Sequence, residues 1–383
     1  MTSAIGLVKG MKALGKKCGI KKDKPDMGII FSEKPCNATA VYTSNSVKGA
    51  PLYVTKEHLK NGKAQAIVIT SGVANVCTGK KGIEDAIETS KYAAKELGIN
   101  YNDVLIASTG IIGHYLPMER IREGLSGIKE ELSKDGNVAE AILTTDSCKK
   151  EAVRKIGNCT IGGIAKGSGM VHPNMATMLA FICTDADFSH DELKAMLKES
   201  VNKSFNMLSV DMDTSTSDMC ILMANGMAGK VAREKFQKAL DEVCIELAKK
   251  IASDGEGATK IIEVQVKNAA DMESAKKLAK SVVCSNLVKC AVYGNDPNWG
   301  RILCALGNSG ADFDEYKVDL YYGNISIVKN GVRVGFDYKK VKEVMAKEEL
   351  KITVDMKSGK ESAIAYGCDM SEEYVKENSL YST

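Results

Sequence analysis

The chain has 383 residues and a formal charge of +3, with 44% hydrophobic and 26% charged residues. This composition is that of an average globular protein, which excludes the disordered and fibrous classes. The length predicts either two domains or one large layered domain. Because the positive charge is spread thinly and only 5% of the residues are aromatic, we expect no nucleic-acid partner. No run is long enough to span a membrane, so no membrane partner is expected either.

The cysteines and histidines predict neither disulfides nor a metal site. None of the 12 cysteines forms a CxxC pair, and the 4 histidines show no metal-ligand spacing. Cys183, Cys220, Cys244 and Cys304 lie inside apolar patterns, where cysteine behaves as a small hydrophobic residue. Reduced, buried thiols are typical of a cytoplasmic protein, and the first residues contain no secretory signal.

Predicted strands and helices alternate in the first part of the sequence. Short apolar or β-branched runs bounded by turn residues predict strands at 27–32, 38–44, 65–72 and 103–113. Helical spacing over 83–100 predicts a helix that ends at Gly98. Pro117 opens a second predicted helix over 118–132, because proline is tolerated in the first turn.

The middle of the sequence contains a glycine-rich loop between predicted strands. Strands at 151–157 and 159–167 lead into it, and 179–186 follows as a buried strand. Ser189 and Glu192 have capping-box spacing ahead of a helix over 192–205. Apolar residues at three- and four-residue steps predict a helix from Glu234 to Ser253, closed by Gly255. Further strands are predicted at 220–226, 261–268, 317–323, 325–331, 351–356 and 362–369.

This order of elements predicts an α/β fold of layered sheets covered by helices. No G-x-G-x-x-G follows a strand in a βαβ setting, and the Walker pattern is missing from the sequence. A dinucleotide-binding or nucleotide-hydrolysing fold is therefore not indicated.

The loop KGSGMVHPNMATML, residues 166–179, contains the candidate chemistry. A threonine hydroxyl needs a base to become a nucleophile, and the α-amino group of an N-terminal threonine can supply that base. Thr177 would gain this amino group if its hydroxyl attacked the carbonyl of Ala176 and water released the upstream segment. Glycines and a small Ala176 permit such an attack. The alternative is an ordinary tight connection between two strands, with Lys166 reaching outwards and His172 in a structural or solvent-facing role.

Eight sequence blocks decide between these alternatives. Besides 166–179 they are AVYTSNSVKGAP, STGIIGHYLPM, ILTTDS, DMDTSTSD, DGEGATK, SNLVKCAVYGNDPNWGRI and the tail from Tyr366. In this order they resemble the ornithine acetyltransferase family, the bifunctional glutamate N-acetyltransferases of arginine biosynthesis, along nearly the whole chain.

The resemblance implies a self-cleaving enzyme with Thr177 as its nucleophile. Acetyl would pass from N2-acetylornithine to Thr177 and then to glutamate, a ping-pong route without a cofactor. Acetyl-CoA remains open as a second acetyl donor. Thr109 and Gly110 match the family's oxyanion hole, where a hydroxyl and a backbone N–H can stabilise a developing negative charge. The matching substrate-binding residues are Thr144, Lys166, Thr177, Glu256, Asn378 and Thr383, with Thr145 as the alternative to Thr144.

Two departures from the family pattern put its substrate range in doubt. Val73 stands where the family commonly has asparagine, which removes an amide. Met212 stands where it has glycine, which we expect to exclude a positive φ or to add bulk.

Cleavage would divide the protein into an α chain, 1–176, and a β chain, 177–383. We expect the two chains to share a core and to assemble as a heterotetramer of two α and two β chains. One alternative is a hydrolase, an aminopeptidase or amidase in which water replaces glutamate. The other is a degenerate family member that only binds its ligand.

Overall fold

The computed structural model describes residues 2–172 and 178–380, which form two β-sheets and the helices that cover them. The strands are β1 Met11–Lys16, β2 Met27–Tyr42, β3 Lys63–Val73, β4 Val104–Ile111, β5 Lys150–Ile156, β6 Cys159–Lys166, β7 Leu179–Ala186, β8 Leu208–Ser209, β9 Met219–Gly229, β10 Ile261–Ala269, β11 Asp319–Tyr322, β12 Ile325–Lys329, β13 Val332–Arg333, β14 Glu349–Asp355 and β15 Glu361–Cys368.

The α-helices lie between and beside these strands. They are α1 Ala50–His58, α2 Gly79–Leu97, α3 Met118–Leu125, α4 Ile128–Glu131, α5 Val138–Ala141, α6 His190–Lys203, α7 Arg233–Ser253, α8 Met272–Cys284, α9 Asn286–Tyr293, α10 Trp299–Gly307, α11 Tyr338–Met345 and α12 Glu372–Leu380. The expected α/β fold of layered sheets covered by helices is confirmed.

The first sheet has the strand order β4-β3-β2-β9-β7-β6-β5, and β1 pairs with β2. The predicted strands 27–32 and 38–44 are one strand, β2, whose pairing with β3 shifts register between Phe31 and Cys36. Its first half lies beside β1 and its second half beside β9. The polar residues between the two runs interrupt the apolar pattern but not the strand.

Strands from both sides of residues 173–177 interleave in this sheet. β7 and β9, which follow that segment, lie between β2 and β6, which precede it. β7 pairs antiparallel with β6, so that Leu179 lies opposite Lys166, and it pairs parallel with β9. The two parts of the chain therefore share one sheet and one hydrophobic core.

Most predicted helix ends are confirmed, and one predicted helix is wrong. Gly98 ends α2 in the left-handed region at φ 72°, and Ser189 forms a capping box with Glu192 at α6. The predicted helix 118–132 is instead two short helices, α3 and α4, separated by Ser126 and Gly127. Gly127 has a φ of 69°, a conformation that glycine adopts without strain and that ends a right-handed helix.

The second sheet has the order β13-β12-β11-β14-β10-β15-β8 and an apolar core of its own under α8, α9, α10 and α11. Helix α7 packs against β5 and β6 of the first sheet and against β15 of the second. The segment after α7, which includes Glu256, therefore begins where the two sheets meet.

The cysteine prediction is confirmed at three of its four positions. Cys183, Cys220 and Cys244 are buried, but Cys304 is exposed, because it lies on the outward side of the short helix α10. All twelve cysteines lie in the described ranges, and all are unpaired. Among the described residues, no helix is long and apolar enough to cross a membrane.

Candidate active site

A cavity of about 430 Å³ brings the predicted site residues together. Its lining includes Thr109, Gly110, Thr144, Thr145, Lys166, Glu256 and Asn378. The other predicted site residues, Ala176, Thr177 and Thr383, lie outside the described residues. We call Thr109, Gly110 and Lys166 the inner end of the cavity, and Glu256, Tyr374 and Asn378 its outer end.

The inner end is built where β4 finishes at the edge of the first sheet. Thr109 and Gly110 pair in parallel with Ser71 and Gly72 of β3. Gly110 has a φ of 128°, and a Cβ at this position would lie 2.3 Å from the carbonyl carbon of Gly72. Only glycine fits this close approach, and Gly110 itself lines the cavity beside Thr109.

Lys166 is the last residue of β6 and is only 8% exposed. Its Nζ lies 3.4 Å from the Thr109 hydroxyl oxygen and 3.9 Å from Oδ2 of Asp146. The ammonium group therefore donates towards Thr109 while a carboxylate compensates its charge. Because the Lys166 ammonium donates to the Thr109 hydroxyl oxygen, the hydroxyl hydrogen of Thr109 can itself be donated to a ligand.

A buried ion pair that no sequence pattern indicated supports the inner end. Lys150 is fully buried and donates to Oδ1 of Asp146 at 2.7 Å and to Asp254. Burial alone would raise the pKa of Asp146, but Lys166, Lys150 and the Gly167 N–H together hold it at about 2. Asp146 is therefore an anion that positions Lys166, and the paired carboxylates raise the pKa of Lys150 in turn.

Thr144 and Thr145 occupy the side of the cavity next to Asp146. The Thr144 N–H donates to Oδ2 of Asp146 at 3.1 Å. The Thr145 hydroxyl shares a hydrogen bond of 2.6 Å with Ser168. Since the Thr145 hydroxyl is already engaged, this geometry favours Thr144 as the residue that contacts a ligand.

The outer end is formed by the loop after α7 and by the last described helix. Asn378 of α12 donates from its amide to Oε2 of Glu256 at 2.9 Å. The Ser371 hydroxyl donates to the carbonyl oxygen of Gly257 and fixes the start of α12. The tail thus folds back onto the cavity, as a binding role for Asn378 requires.

The sequence block 211–218 supplies much of the remaining wall, which sequence reasoning did not assign to the site. Asp211, Asp213 and residues 214–217 line the cavity. The Asp211 carboxylate accepts hydrogen bonds from the N–H groups of Met170 and Val171, at 2.6 and 2.9 Å. Asn45 donates to the carbonyl oxygen of Thr214 at 2.7 Å. The sequence signal for this wall was that the block 211–218 and the block 40–51, which contains Asn45, both resemble the same family.

A second, smaller cavity of about 20 Å³ adjoins the inner end. Thr109 and Lys166 line both cavities, and the small one also borders Met178, Leu179, Ser217 and Asp218. The described chain therefore resumes at Met178 beside the inner end.

His172 has a structural role, which is one of the two roles that the sequence predicted for it. Its Nδ1 lies 3.0 Å from the Ser209 hydroxyl and 3.6 Å from the Cys284 sulfur. Burial, together with the nearby Lys280 ammonium, lowers the pKa of His172 to about 4. The described residues contain no cluster of side chains that could hold a metal ion.

Comparison with known proteins assigns the chain to a family. The sequence model of the ArgJ family matches residues 12–383. The chain belongs to the ArgJ family. The arginine biosynthesis bifunctional protein ArgJ of Thermotoga neapolitana is 48% identical over 393 residues, covering 98% of this chain and 99% of the relative. The protein of the same name from Caldanaerobacter subterraneus is 49% identical over 396 residues, covering 99% of this chain and 98% of the relative.

A solved ArgJ structure also matches. The arginine biosynthesis bifunctional protein ArgJ of Bacillus halodurans has a TM-score of 0.51 and 41% identity, covering 52% of this chain and 98% of that chain. As a member of the ArgJ family, the protein is an acetyltransferase enzyme of arginine biosynthesis.

The two departures from the ArgJ pattern have different structural consequences. Met212 adopts a φ of 71° and is 52% exposed. The expectation that methionine excludes a positive φ is therefore wrong, and its bulk points to solvent. Val73 is a half-buried residue at the end of β3 and packs into an apolar cluster, while its neighbour Ala74 lines the cavity.

Proposed function

We propose that the chain cuts itself between Ala176 and Thr177, and that Thr177 then carries acetyl from N2-acetylornithine to glutamate. The observation that carries this proposal is the inner end of the cavity, where the Thr109 hydroxyl, the buried Lys166 ammonium and Gly110 lie together next to a small cavity that Met178 lines. Thr177 is bonded to Met178, which lines the small cavity, and we therefore expect the Thr177 hydroxyl to act on a carbonyl held by these groups.

Self-cleavage would proceed through an ester. The Thr177 hydroxyl attacks the carbonyl carbon of Ala176, the peptide C–N bond breaks, and the nitrogen takes up the hydroxyl proton to become a free α-amino group. Water then attacks the ester carbon, the bond to Thr177 Oγ breaks, and Oγ regains a proton. Thr109 and Gly110 are positioned to stabilise the negatively charged oxygen that forms in each step.

Acetyl transfer would use the same groups. The Thr177 amino group removes the proton from its own hydroxyl, which attacks the acetyl carbonyl of N2-acetylornithine. Ornithine leaves as the amine after it takes up that proton. The amino group of glutamate then attacks acetyl-Thr177 and restores the threonine. An unperturbed α-amino pKa of about 7.7–8.0 leaves a useful neutral fraction at cellular pH.

Charge at the two ends of the cavity supports an amino-acid substrate. Lys166 and Thr144 can hold a carboxylate, whereas Glu256 can pair with the side-chain ammonium of ornithine. Asn378 orients the Glu256 carboxylate. We assign Thr383, the last residue of the tail, to the same binding site from the family resemblance alone.

The mature enzyme would contain two associated chains, 1–176 and 177–383, in a heterotetramer. The interleaving of β7 and β9 between β2 and β6 supports the association, because separating the chains would break the hydrogen bonds between these strands. The solved Bacillus halodurans chain corresponds to about half of this chain, as one product of such a cut would. The unpaired thiols favour a cytoplasmic location.

The relatives are named bifunctional, and we propose acetyl-CoA as the second acetyl donor of this chain. The test is to give the purified enzyme labelled N2-acetylornithine or labelled acetyl-CoA, each with and without glutamate. We expect label in N-acetylglutamate from both donors, with N2-acetylornithine also leaving label on Thr177 when glutamate is omitted. Label in free acetate with glutamate present would instead indicate the hydrolase.

A further inference from the structure

Ser217 has a buried hydroxyl that takes no part in the self-cleavage and acetyl-transfer steps proposed for Thr177. It is 6% exposed, and its Oγ has no hydrogen-bond partner in the described ranges 2–172 and 178–380. Its backbone N–H donates to the Ser215 hydroxyl at 3.2 Å, which fixes the main chain but leaves the Ser217 hydroxyl unengaged. A buried polar group without a partner is costly, so its presence beside Thr109 and Lys166 points to a transient ligand.

The small cavity beside Ser217 has the size and polarity of a single-water site. Its volume of about 20 Å³ exceeds the roughly 10–15 Å³ that one water molecule requires. A bound water also needs two to four polar neighbours. Besides Ser217, the cavity is lined by Thr109, Lys166, Met178 and Asp218.

We infer that this cavity holds the water that hydrolyses the Thr177 ester during self-cleavage, and that the Ser217 hydroxyl positions this water. The inference rests on the self-cleavage proposed above. The water oxygen bonds to the ester carbon of Ala176 while the Thr177 amino group takes one of its protons. The bond from carbon to Thr177 Oγ breaks, and Oγ takes that proton. Ala176 is left as a carboxylic acid, which ionises by giving its proton to the amino group.

Ser217→Ala is expected to fold, because removing a hydroxyl without a partner leaves no other group unpaired. We expect the variant to form the ester normally but to cleave about tenfold more slowly, since it lacks one hydrogen bond to the water. Hydroxylamine attacks esters directly and needs no positioned water. Adding it should restore the cleavage rate and leave the upstream fragment ending in the hydroxamate of Ala176.

The matched control is Ser326→Ala. Its hydroxyl is also buried and without a partner in the described structure, but it lies on β12 of the second sheet. This variant should cleave like the wild type. Ser217→Thr, which keeps a hydroxyl, should cleave faster than Ser217→Ala, and thermal unfolding of each variant checks its fold.

Two results would overturn the role of Ser217 alone: wild-type cleavage of Ser217→Ala without hydroxylamine, or a folded variant that hydroxylamine fails to cleave. The second result would mean that Ser217 is needed before the ester forms. A wild-type chain that never cleaves, or a Thr177→Ala chain that still does, would instead remove the self-cleavage proposal and this inference with it.

Discussion

The inner and outer ends of the cavity are built in different ways. Thr109 and Lys166 lie at the ends of two strands of the first sheet, are buried, and rest on the Asp146–Lys150 pair. Asn378 is exposed on α12, a helix with no buried residue, and Glu256 lies in a loop. Rigid, water-excluded groups suit charge stabilisation during a reaction, whereas groups on a loop and a terminal helix suit adjustable recognition. We therefore expect the reaction rate to depend on Thr109 at the inner end, and affinity for the ornithine side chain to depend on Glu256 at the outer end.

The largest expected effect comes from breaking the ion pair beneath the inner end. Lys150→Met leaves the Asp146 and Asp254 carboxylates buried without their shared cation, which should lower the free energy of unfolding by about 3–5 kcal/mol. Urea denaturation measures this change. Lys149→Met, at the exposed neighbouring position, is the control and should change the free energy by less than about 0.5 kcal/mol. Equal stability of the two variants would show that the pair does not support the site.

The next effect concerns the Thr109 hydroxyl. Thr109→Val keeps the shape of the side chain but removes the donor, so kcat should fall by about 10²–10³ with little change in KM. Thr109→Ser retains the hydroxyl and should retain most of the activity. Steady-state kinetics with acetylornithine and glutamate separate the two parameters. A rise in KM at constant kcat would show that Thr109 contributes to substrate binding and not to the reaction.

A smaller effect is expected at the outer end. Glu256→Gln removes the charge that we pair with the ornithine ammonium, so KM for acetylornithine should rise about tenfold or more while kcat changes little. Glu372→Gln, on α12 but not in the cavity lining, should leave KM unchanged. If Glu256→Gln lowered kcat instead, the expectation that Glu256 serves affinity and not reaction rate would be wrong.

The effect that is smallest near neutral pH is a pH dependence of stability that arises at His172, which belongs to neither end. Its pKa falls from an ordinary value of 6.5 to about 4 in the folded chain. Between these values the unfolded chain binds a proton that the folded chain does not, so stability falls as the pH is lowered from 6.5 to 4. In His172→Gln this contribution is lost, and urea midpoints should decline less across the same range. Equal declines of the urea midpoint in the wild type and in His172→Gln would contradict the assignment of this pH dependence to His172.

Sequence patterns predicted the elements whose signal is local. The β-branched runs of β3, β4 and β7, the left-handed glycine after α2 and the capping box of α6 were all predicted from neighbouring residues. Helices α9 and α10 were not, because eight or nine residues give too few turns for an apolar period to appear. The apolar period over 118–132 continues through Ser126 and Gly127, whose extended and left-handed backbones separate α3 from α4.

The site could be predicted only as far as its residues resemble a family. No spacing rule links Lys150 to Asp254, which lies 104 positions away, and a lysine at the start of a strand is normally solvated. That the Ser217 hydroxyl has no partner among the described residues depends on which groups surround it, and the φ of Met212 depends on the turn it occupies. Such features arise from tertiary packing, so they become visible only in the folded chain.

The most direct test of the central claim is the N-terminal sequence of the fragments in purified, active enzyme. We expect two fragments, the downstream one beginning Thr-Met-Leu at Thr177, and a single uncut, inactive chain for Thr177→Ala. Fully active wild-type enzyme that consists of one intact chain would contradict it.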